Sequence, residues 1–152
     1  LRGAGKSVLA TVGNLNNRVG VPHTLFCLES AHEIAVVEMG TSERGEIARL
    51  AEIGVPDVAV VTRVAVAHAE GIGTIEDVAH EKGALFRALA ADAIAIANAD
   101  DARVLAETAN TEARVIRYGI APDAVPDVRC ERIAGPRQMG TITAGAPEKR
   151  VK

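Results

Sequence analysis

The chain has 152 residues, of which 48% are hydrophobic and 24% charged, enough length and apolar content for a domain with its own core. The net charge is −3 and aromatic residues make up only 2%, which disfavours nucleic acid as a partner, because such proteins use basic surfaces and stacking aromatic rings. Two widely spaced cysteines, no signal-peptide pattern and no apolar run near about 18 residues favour a cytoplasmic protein without membrane insertion.

Apolar runs alternate with segments of helical spacing along the first part of the chain. The predicted order is strand 7–12, helix 21–28, strand 34–38, helix 45–53, strand 57–62, helix 74–89, strand 93–97, helix 101–108 and strand 114–118. This alternation is typical of an α/β fold, a mostly parallel sheet with helices on both faces. Residues 1–120 would form this unit, and the prolines, glycines and weak alternation of 121–152 predict a β-rich extension of it.

Polar side chains follow several of the predicted strands at the point where each strand ends. Glu38 ends one strand, His68 follows the next, the NADD turn begins at Asn98 after a third, and the GNLNN loop (13–17) follows the first. Ligands bind beyond the carboxyl ends of parallel strands, and a carboxylate with an imidazole can hold a divalent metal. Each feature alone also has a simpler explanation: a solvated strand end, a loop histidine, or a turn that caps the next helix.

Lys82 occupies an unusual position on the helix predicted over 74–89. It falls on the apolar stripe of that helix, which consists of Ile75, Val78, Ala79, Leu85, Phe86 and Leu89. A lysine directed towards a core has a lowered pKa, which makes its neutral amine available for chemistry. The alternative is a lysine whose stem lies along the helix while its ammonium reaches water.

The segment GAGKS (3–7) resembles the end of a phosphate-binding loop, but its context disagrees. Such a loop opens a helix, whereas residues 7–12 have the β-branched pattern of a strand. We therefore interpret GAGKS as unrelated to nucleotide binding.

Several segments together resemble the central, P-loop-type domain of the Mur ligases. They are TVGNLNNRVGVPHTL (11–25), VVEMGTSERGEI (36–47), AHAEGIGTIEDVAHEKGALF (67–86) and ANADD (97–101), and the match runs in order from Ser7 to Tyr118. The GNLNN element favours the member that joins D-Ala-D-Ala to UDP-MurNAc-tripeptide in peptidoglycan precursor synthesis, in the bacterial cytoplasm.

The resemblance implies a mechanism and a set of site residues. ATP would phosphorylate the terminal carboxylate of UDP-MurNAc-tripeptide, and the amine of D-Ala-D-Ala would attack the acyl phosphate with the help of two Mg²⁺ ions. Glu38 and His68 would hold the second magnesium, Lys82 would be carbamylated, and Asn98 would lie near ATP. The residues expected to face the muramoyl substrate are Asn14, Asn16, Asn17 and Thr24.

The sequence also departs from the family pattern. Arg63 stands where the family usually has Asn, smaller residues stand at Ala69 and Ile72, Glu81 replaces a common alanine, and Ala84 a common glutamate. These substitutions leave the three main site residues in place but alter the charges around them.

The family's phosphate-binding loop would precede Leu1, so the chain is expected to be an inactive fragment that lacks this loop and the flanking N- and C-terminal domains. Three alternatives stay open. They are a sister Mur ligase, a folylpolyglutamate synthetase-like ligase, and a non-catalytic α/β module that binds a small anion at the same strand ends.

Overall fold

Strands and helices alternate along the chain in the computed structural model, which describes residues 1–65, 69–121, 125–132 and 140–144. The strands are β1 (Val8–Ala10), β2 (Ile34–Val36), β3 (Val58–Val61), β4 (Ile94–Asn98), β5 (Arg114–Gly119), β6 (Val128–Arg132) and β7 (Gly140–Ala144). The helices are α1 (Gly20–Leu25), α2 (Glu46–Gly54), α3 (Ala69–Ile72), α4 (Ile75–Arg87) and α5 (Ala102–Glu107). The predicted α/β class is confirmed, although β1, β2 and β3 are shorter than predicted. Among the described residues, every helix is too short or too polar to span a lipid bilayer.

The described strands form two separate sheets. β1 and β2 pair in parallel, with Val8 opposite Ile34. β3 to β7 form a second sheet in chain order, parallel as far as β6 and antiparallel between β6 and β7. The sequence pattern predicted one sheet, but β2 and β3 do not pair with each other. Among the described strands, β2 and β3 therefore each have a single hydrogen-bonded neighbour and one open edge.

The two faces of β3 differ sharply in burial. Ala59 and Val61 are buried in the core beneath α4 and α5, whereas Val58 and Val60 are 48% and 47% exposed. A strand inside a parallel sheet is usually buried on both faces. In the described part of the chain, β3 is thus an edge strand with one uncovered apolar face.

Helix α4 forms as the sequence predicts because its first turn is capped and its apolar stripe is buried. Thr74 Oγ1 accepts the Asp77 N–H, and the Asp77 carboxylate accepts the Thr74 N–H, which together form a capping box. These hydrogen bonds from Thr74 hold the pKa of Asp77 below its usual value. Val78 and Phe86 of the stripe are fully buried in the core, so α4 lies firmly against β3 and β4.

Helix α2 begins and ends at residues with unusual backbone conformations. Its N-cap is Gly45 at φ 84°, which offers no side chain to the first turn. This helix was predicted to end at residue 53, but Gly54 is its last residue, and Val55 takes a left-handed conformation at φ 40°. A Cβ at Gly54 would lie 2.8 Å from the Met39 methyl carbon, which is the end of a flexible side chain and can move aside.

Candidate functional site

Glu38 lies just beyond β2 and is held by the loop that follows β1. Its backbone N–H donates to Thr11 Oγ1 at 2.9 Å, and the Asn16 side-chain amide donates to Glu38 Oε1 at 2.8 Å. The Asn16 carbonyl also accepts the Gly40 N–H at 2.7 Å. Asn16 was predicted to face substrate; the structure directs its side chain to the Glu38 carboxylate, whose orientation it fixes.

The Glu38 carboxylate has one oxygen that no described residue uses. It is exposed, and no described residue donates a hydrogen bond to Oε2. Carboxylate oxygens suit Mg²⁺, which keeps several waters and takes few protein ligands. The other predicted ligand, His68, lies outside the described residues. The residues that the structure describes contain no group of three or more His, Cys, Asp or Glu that could hold a metal.

Lys82 is half-buried at the carboxyl end of β3. Its Nζ donates to the Arg63 carbonyl oxygen at 2.8 Å. Burial lowers the pKa of Lys82, and the negative charge of Asp101 partly opposes this shift. A lowered pKa enlarges the fraction of neutral amine, the form that reacts with carbon dioxide. The Arg63 side chain itself is exposed.

The NADD turn, which follows β4, is hydrogen-bonded to the residues that follow the two neighbouring strands, β3 and β5. Asn98 Nδ2 donates to the Thr62 carbonyl at 2.8 Å, and Asn98 Oδ1 accepts the Asp100 N–H at 2.9 Å. Asp100 in turn accepts the N–H of Ile120 at 2.9 Å. Asp101 Oδ2 accepts the Val64 N–H at 2.8 Å, while Oδ1 caps α5. Both polar atoms of Asn98, the predicted ATP contact, therefore have partners within the protein.

The loops that follow β2 and β3 contact each other directly. Arg44 Nε donates to the Ile72 carbonyl at 2.8 Å. Gly71 lies so close to the Ser42 carbonyl that an added Cβ would overlap with its oxygen. Although β2 and β3 belong to different sheets, the segments that follow them therefore meet at residues 42–44 and 71–72.

The other residues predicted to face the muramoyl substrate have different environments. Asn14 is exposed, and its carbonyl accepts the Asn16 N–H at 2.8 Å. Asn17 Oδ1 accepts the N–H groups of Val19 and Gly20 at 3.0 and 2.9 Å, which fixes the start of α1. Thr24 is 5% exposed, and its hydroxyl is buried without a hydrogen-bond partner among the described residues. Asn14 and Asn17 are both exposed, but only the Asn14 side chain makes no hydrogen bond to a described residue.

Two buried carboxylates at the start of α2 were not identified as functional from the sequence. Glu46 accepts the N–H of Ser42 at 2.7 Å and of Glu43 at 3.0 Å, and the first of these bonds holds its pKa below the usual value. Glu81, on α4, accepts the N–H of Gly45 at 2.7 Å and of Ile47 at 2.8 Å. The sequence contains one indication of them: the helix predicted to start at Gly45 has no capping side chain of its own, so a cap from another segment is required.

Comparison with known proteins places this arrangement in a family. The model of the Mur ligase middle domain matches residues 1–150. The chain belongs to the Mur ligase middle-domain family. This membership agrees with the α/β fold of the described residues.

Three relatives of this Mur ligase middle domain illustrate the similarity. The chain is 44% identical over 95 residues to the UDP-N-acetylmuramoyl-tripeptide–D-alanyl-D-alanine ligase of Escherichia coli, covering 62% of this chain and 21% of that protein. It is 36% identical over 121 residues to the enzyme of that name from Mycobacterium tuberculosis, covering 80% and 23%. The structure of MurF ligase from Thermotoga maritima in complex with ADP matches with a TM-score of 0.78 and 29% identity, over 95% of this chain and 33% of that one. The chain thus spans about a fifth to a third of the length of these proteins.

Proposed function

We propose that this chain is part of an ATP-dependent ligase that joins D-Ala-D-Ala to UDP-MurNAc-tripeptide through an acyl phosphate, in the cytoplasm of a bacterium. The observation that carries the proposal is Lys82, a half-buried amine with a lowered pKa at the carboxyl end of β3. The identities to ligases of that name and the ADP-bound structural relative support the reaction and the use of ATP.

Lys82 would act after carbamylation. Its neutral amine attacks carbon dioxide, the new N–C bond forms, and the amine loses a proton to solvent, which leaves an anionic carbamate. The hydrogen bond to the Arg63 carbonyl holds Nζ at the end of β3. Burial favours this reaction because it lowers the cost of removing a proton from the ammonium.

Glu38 and His68 would hold Mg²⁺, which when bound offsets the negative charge of the phosphates and of the substrate carboxylate. Asn16 and Thr11 keep Glu38 in one orientation through its carboxylate and its backbone N–H. Loss of such a supporting hydrogen bond to a metal-binding carboxylate typically lowers metal affinity or activity by about 10- to 100-fold. Asn14, the exposed side chain of the GNLNN loop, would contact the muramoyl substrate.

The rest of the ligase would lie in other parts of the same protein. We propose that residues 1–120 form part of the central domain, that 121–152 extend it, and that N- and C-terminal domains flank it. The open edges of β2 and β3 and the exposed Val58 and Val60 support further protein packing on this side of the sheet. A strand edge and an apolar face left to water would promote aggregation. By itself the chain 1–152 is expected to be inactive.

A phosphate-release assay with the full-length protein tests this proposal. Phosphate release is expected to require ATP, UDP-MurNAc-tripeptide and D-Ala-D-Ala together. Lys82→Ala should reduce the rate by about 100-fold, the scale of losing one electrostatic group in an active site. Lys6→Ala is the matched control, because Lys6 forms only an exposed ion pair with Glu33. Turnover by the isolated chain 1–152 would contradict the expectation that it is an inactive fragment.

The same assay separates the alternatives. Turnover with a single amino acid in place of D-Ala-D-Ala would indicate a sister ligase, and turnover with a folate and glutamate the folylpolyglutamate type. No turnover with any of these would favour the anion-binding module. The structure weighs against that module, because the amides at the start of α2, a natural anion site, are occupied by Glu46 and Glu81.

A further inference from the structure

Glu81 is a buried carboxylate whose role goes beyond holding its own helix. It is 6% exposed, and among the described residues it has no cationic partner. Oε2 accepts the Gly45 N–H at 2.7 Å and Oε1 the Ile47 N–H at 2.8 Å. A buried charge is costly unless hydrogen bonds compensate it. Here the compensation comes from two amides, from the Thr41 hydroxyl at 3.5 Å from Oε1, and from the positive end of the α2 dipole.

The start of α2 depends on this distant carboxylate because its own sequence supplies no equivalent. The N-cap residue, Gly45, has no side chain and makes no capping hydrogen bond of its own. Helix starts are usually capped by a neighbouring residue of the same segment. Glu81 instead comes from α4, so this cap ties two helices together.

The hydrogen bonds that Glu81 accepts join the two segments that carry Lys82 and Glu38. Lys82 follows Glu81 directly on α4 and reaches in another direction, to Arg63 at the end of β3. On the other side, Gly45 belongs to the loop that leads from Glu38 into α2. Glu81 is thus a buried link between the helix that bears Lys82 and the loop that begins at Glu38, in addition to the exposed ion pair of Asp77 with Arg44.

We propose that Glu81 is a positioning residue that keeps Lys82 and Glu38 at a fixed separation by holding α4 against the start of α2. The proposal rests on the proposed function in so far as Lys82 and Glu38 act in ligation. A carboxylate is required because both of its oxygens accept an amide N–H. Glutamine offers one acceptor oxygen and would turn its NH₂ group towards the second amide.

The test uses Glu81→Gln in the full-length protein, with two controls on the same helix. Glu76→Gln removes an exposed carboxylate that pairs only with Arg103. Thr74→Ala weakens the capping box of α4 without touching α2. Three measurements are made: amide hydrogen exchange of residues 41–47, the ¹³CO₂ concentration that half-saturates Lys82 as its ¹³C-carbamate, and kcat with the KM for ATP.

Glu81→Gln is expected to speed exchange of the 41–47 amides about 10-fold, because each lost charged hydrogen bond permits local opening. The half-saturating ¹³CO₂ concentration should rise and kcat should fall about 10-fold each, with little change in the KM for ATP. Both controls should leave the exchange of 41–47 and the carbamate curve unchanged. If Glu81→Gln does not fold, Glu81→Asp, which keeps the charge but is too short to reach both amides, replaces it.

Unchanged exchange of 41–47 would overturn the proposal, since the link itself would then be absent. Faster exchange with an unchanged carbamate curve and kcat would also overturn it, because Glu81 would then be a structural cap alone. If the wild-type protein shows neither carbamate nor turnover, the proposed function fails and the positioning role fails with it. The exchange data still distinguish that outcome from loss of the contact.

Discussion

Replacing Asp101 by asparagine should destabilise the domain and lower the pKa of Lys82 in one step. Each Asp101 oxygen has a separate role: Oδ1 accepts the N–H groups of Arg103 and Val104 at the start of α5, and Oδ2 accepts the Val64 N–H at 2.8 Å. Asparagine keeps a single acceptor oxygen, so one of these roles is lost.

The magnitude follows from the burial of the amide that loses its partner. Val64 is 6% exposed, and a buried N–H without an acceptor costs about 1–3 kcal/mol. Asp101→Ala also removes the helix cap, which adds about 1 kcal/mol. The midpoint of thermal unfolding should shift by about 2–4 °C for each kcal/mol in a domain of this size.

The charge effect has a definite sign. Burial lowers the pKa of Lys82 and the Asp101 charge raises it, so removing that charge leaves the burial effect unopposed and the pKa falls further. Urea unfolding measures the stability, and NMR titration of ¹³C-labelled lysine side chains measures the pKa. Asp92→Asn, at an exposed aspartate, is the control. A higher pKa for Lys82 in Asp101→Asn, or an unchanged urea midpoint, would refute this reasoning.

Three further changes test other parts of the fold. Gly71→Ala forces a methyl group onto the Ser42 carbonyl oxygen and should cost about 1–3 kcal/mol in urea unfolding; a wild-type midpoint would mean that the loops after β2 and β3 separate freely. Thr74→Ala should lower the stability by about 1 kcal/mol through the lost cap of α4, with Thr108→Ala compared in parallel. The hydrogen bond from Arg117 lowers the pKa of Asp127 to about 2, so this pair stabilises the fold fully above the unfolded value of about 3.9 and loses its effect as the pH falls towards 2. Arg117→Gln should weaken that pH dependence in melts between pH 5 and pH 2.5, and an identical profile would count against the pair.

The parts of the fold set by local pattern could be predicted from the sequence. The apolar spacing of α4 and the Thr74–Asp77 box are contained within one helix, so the helix, its start and its buried stripe are all found as predicted. The half-burial of Lys82 follows from the same spacing. Such features need no knowledge of what lies opposite them.

The parts that depend on long-range partners could not be predicted. In the sequence, Glu81 looks like any other charged residue of an exposed helix face. The two backbone amides that donate to it lie 34 and 36 residues away in the chain, so the contact cannot be inferred before α2 is placed beside α4. The separation of β2 from β3 is likewise absent from the apolar pattern, which does not reveal which strands pair. The predicted end of α2 at residue 53 is one residue early, because the left-handed conformation falls on Val55 rather than on a glycine.

The predicted site residues differ in how many of their side-chain donors and acceptors already have partners within the protein. The side-chain oxygens of Asn17 and Asn98 accept backbone N–H groups, and the side-chain amide of Asn16 donates to Glu38. Glu38 retains an oxygen without a partner among the described residues, and Lys82 uses one of its three possible donors. Polar residues gather beyond the ends of parallel strands whether or not a ligand binds, because the turns there need caps. Glu38, Lys82 and the exposed Asn14 keep hydrogen-bonding groups that the described residues do not use, which is why we propose them as the side chains that meet a ligand.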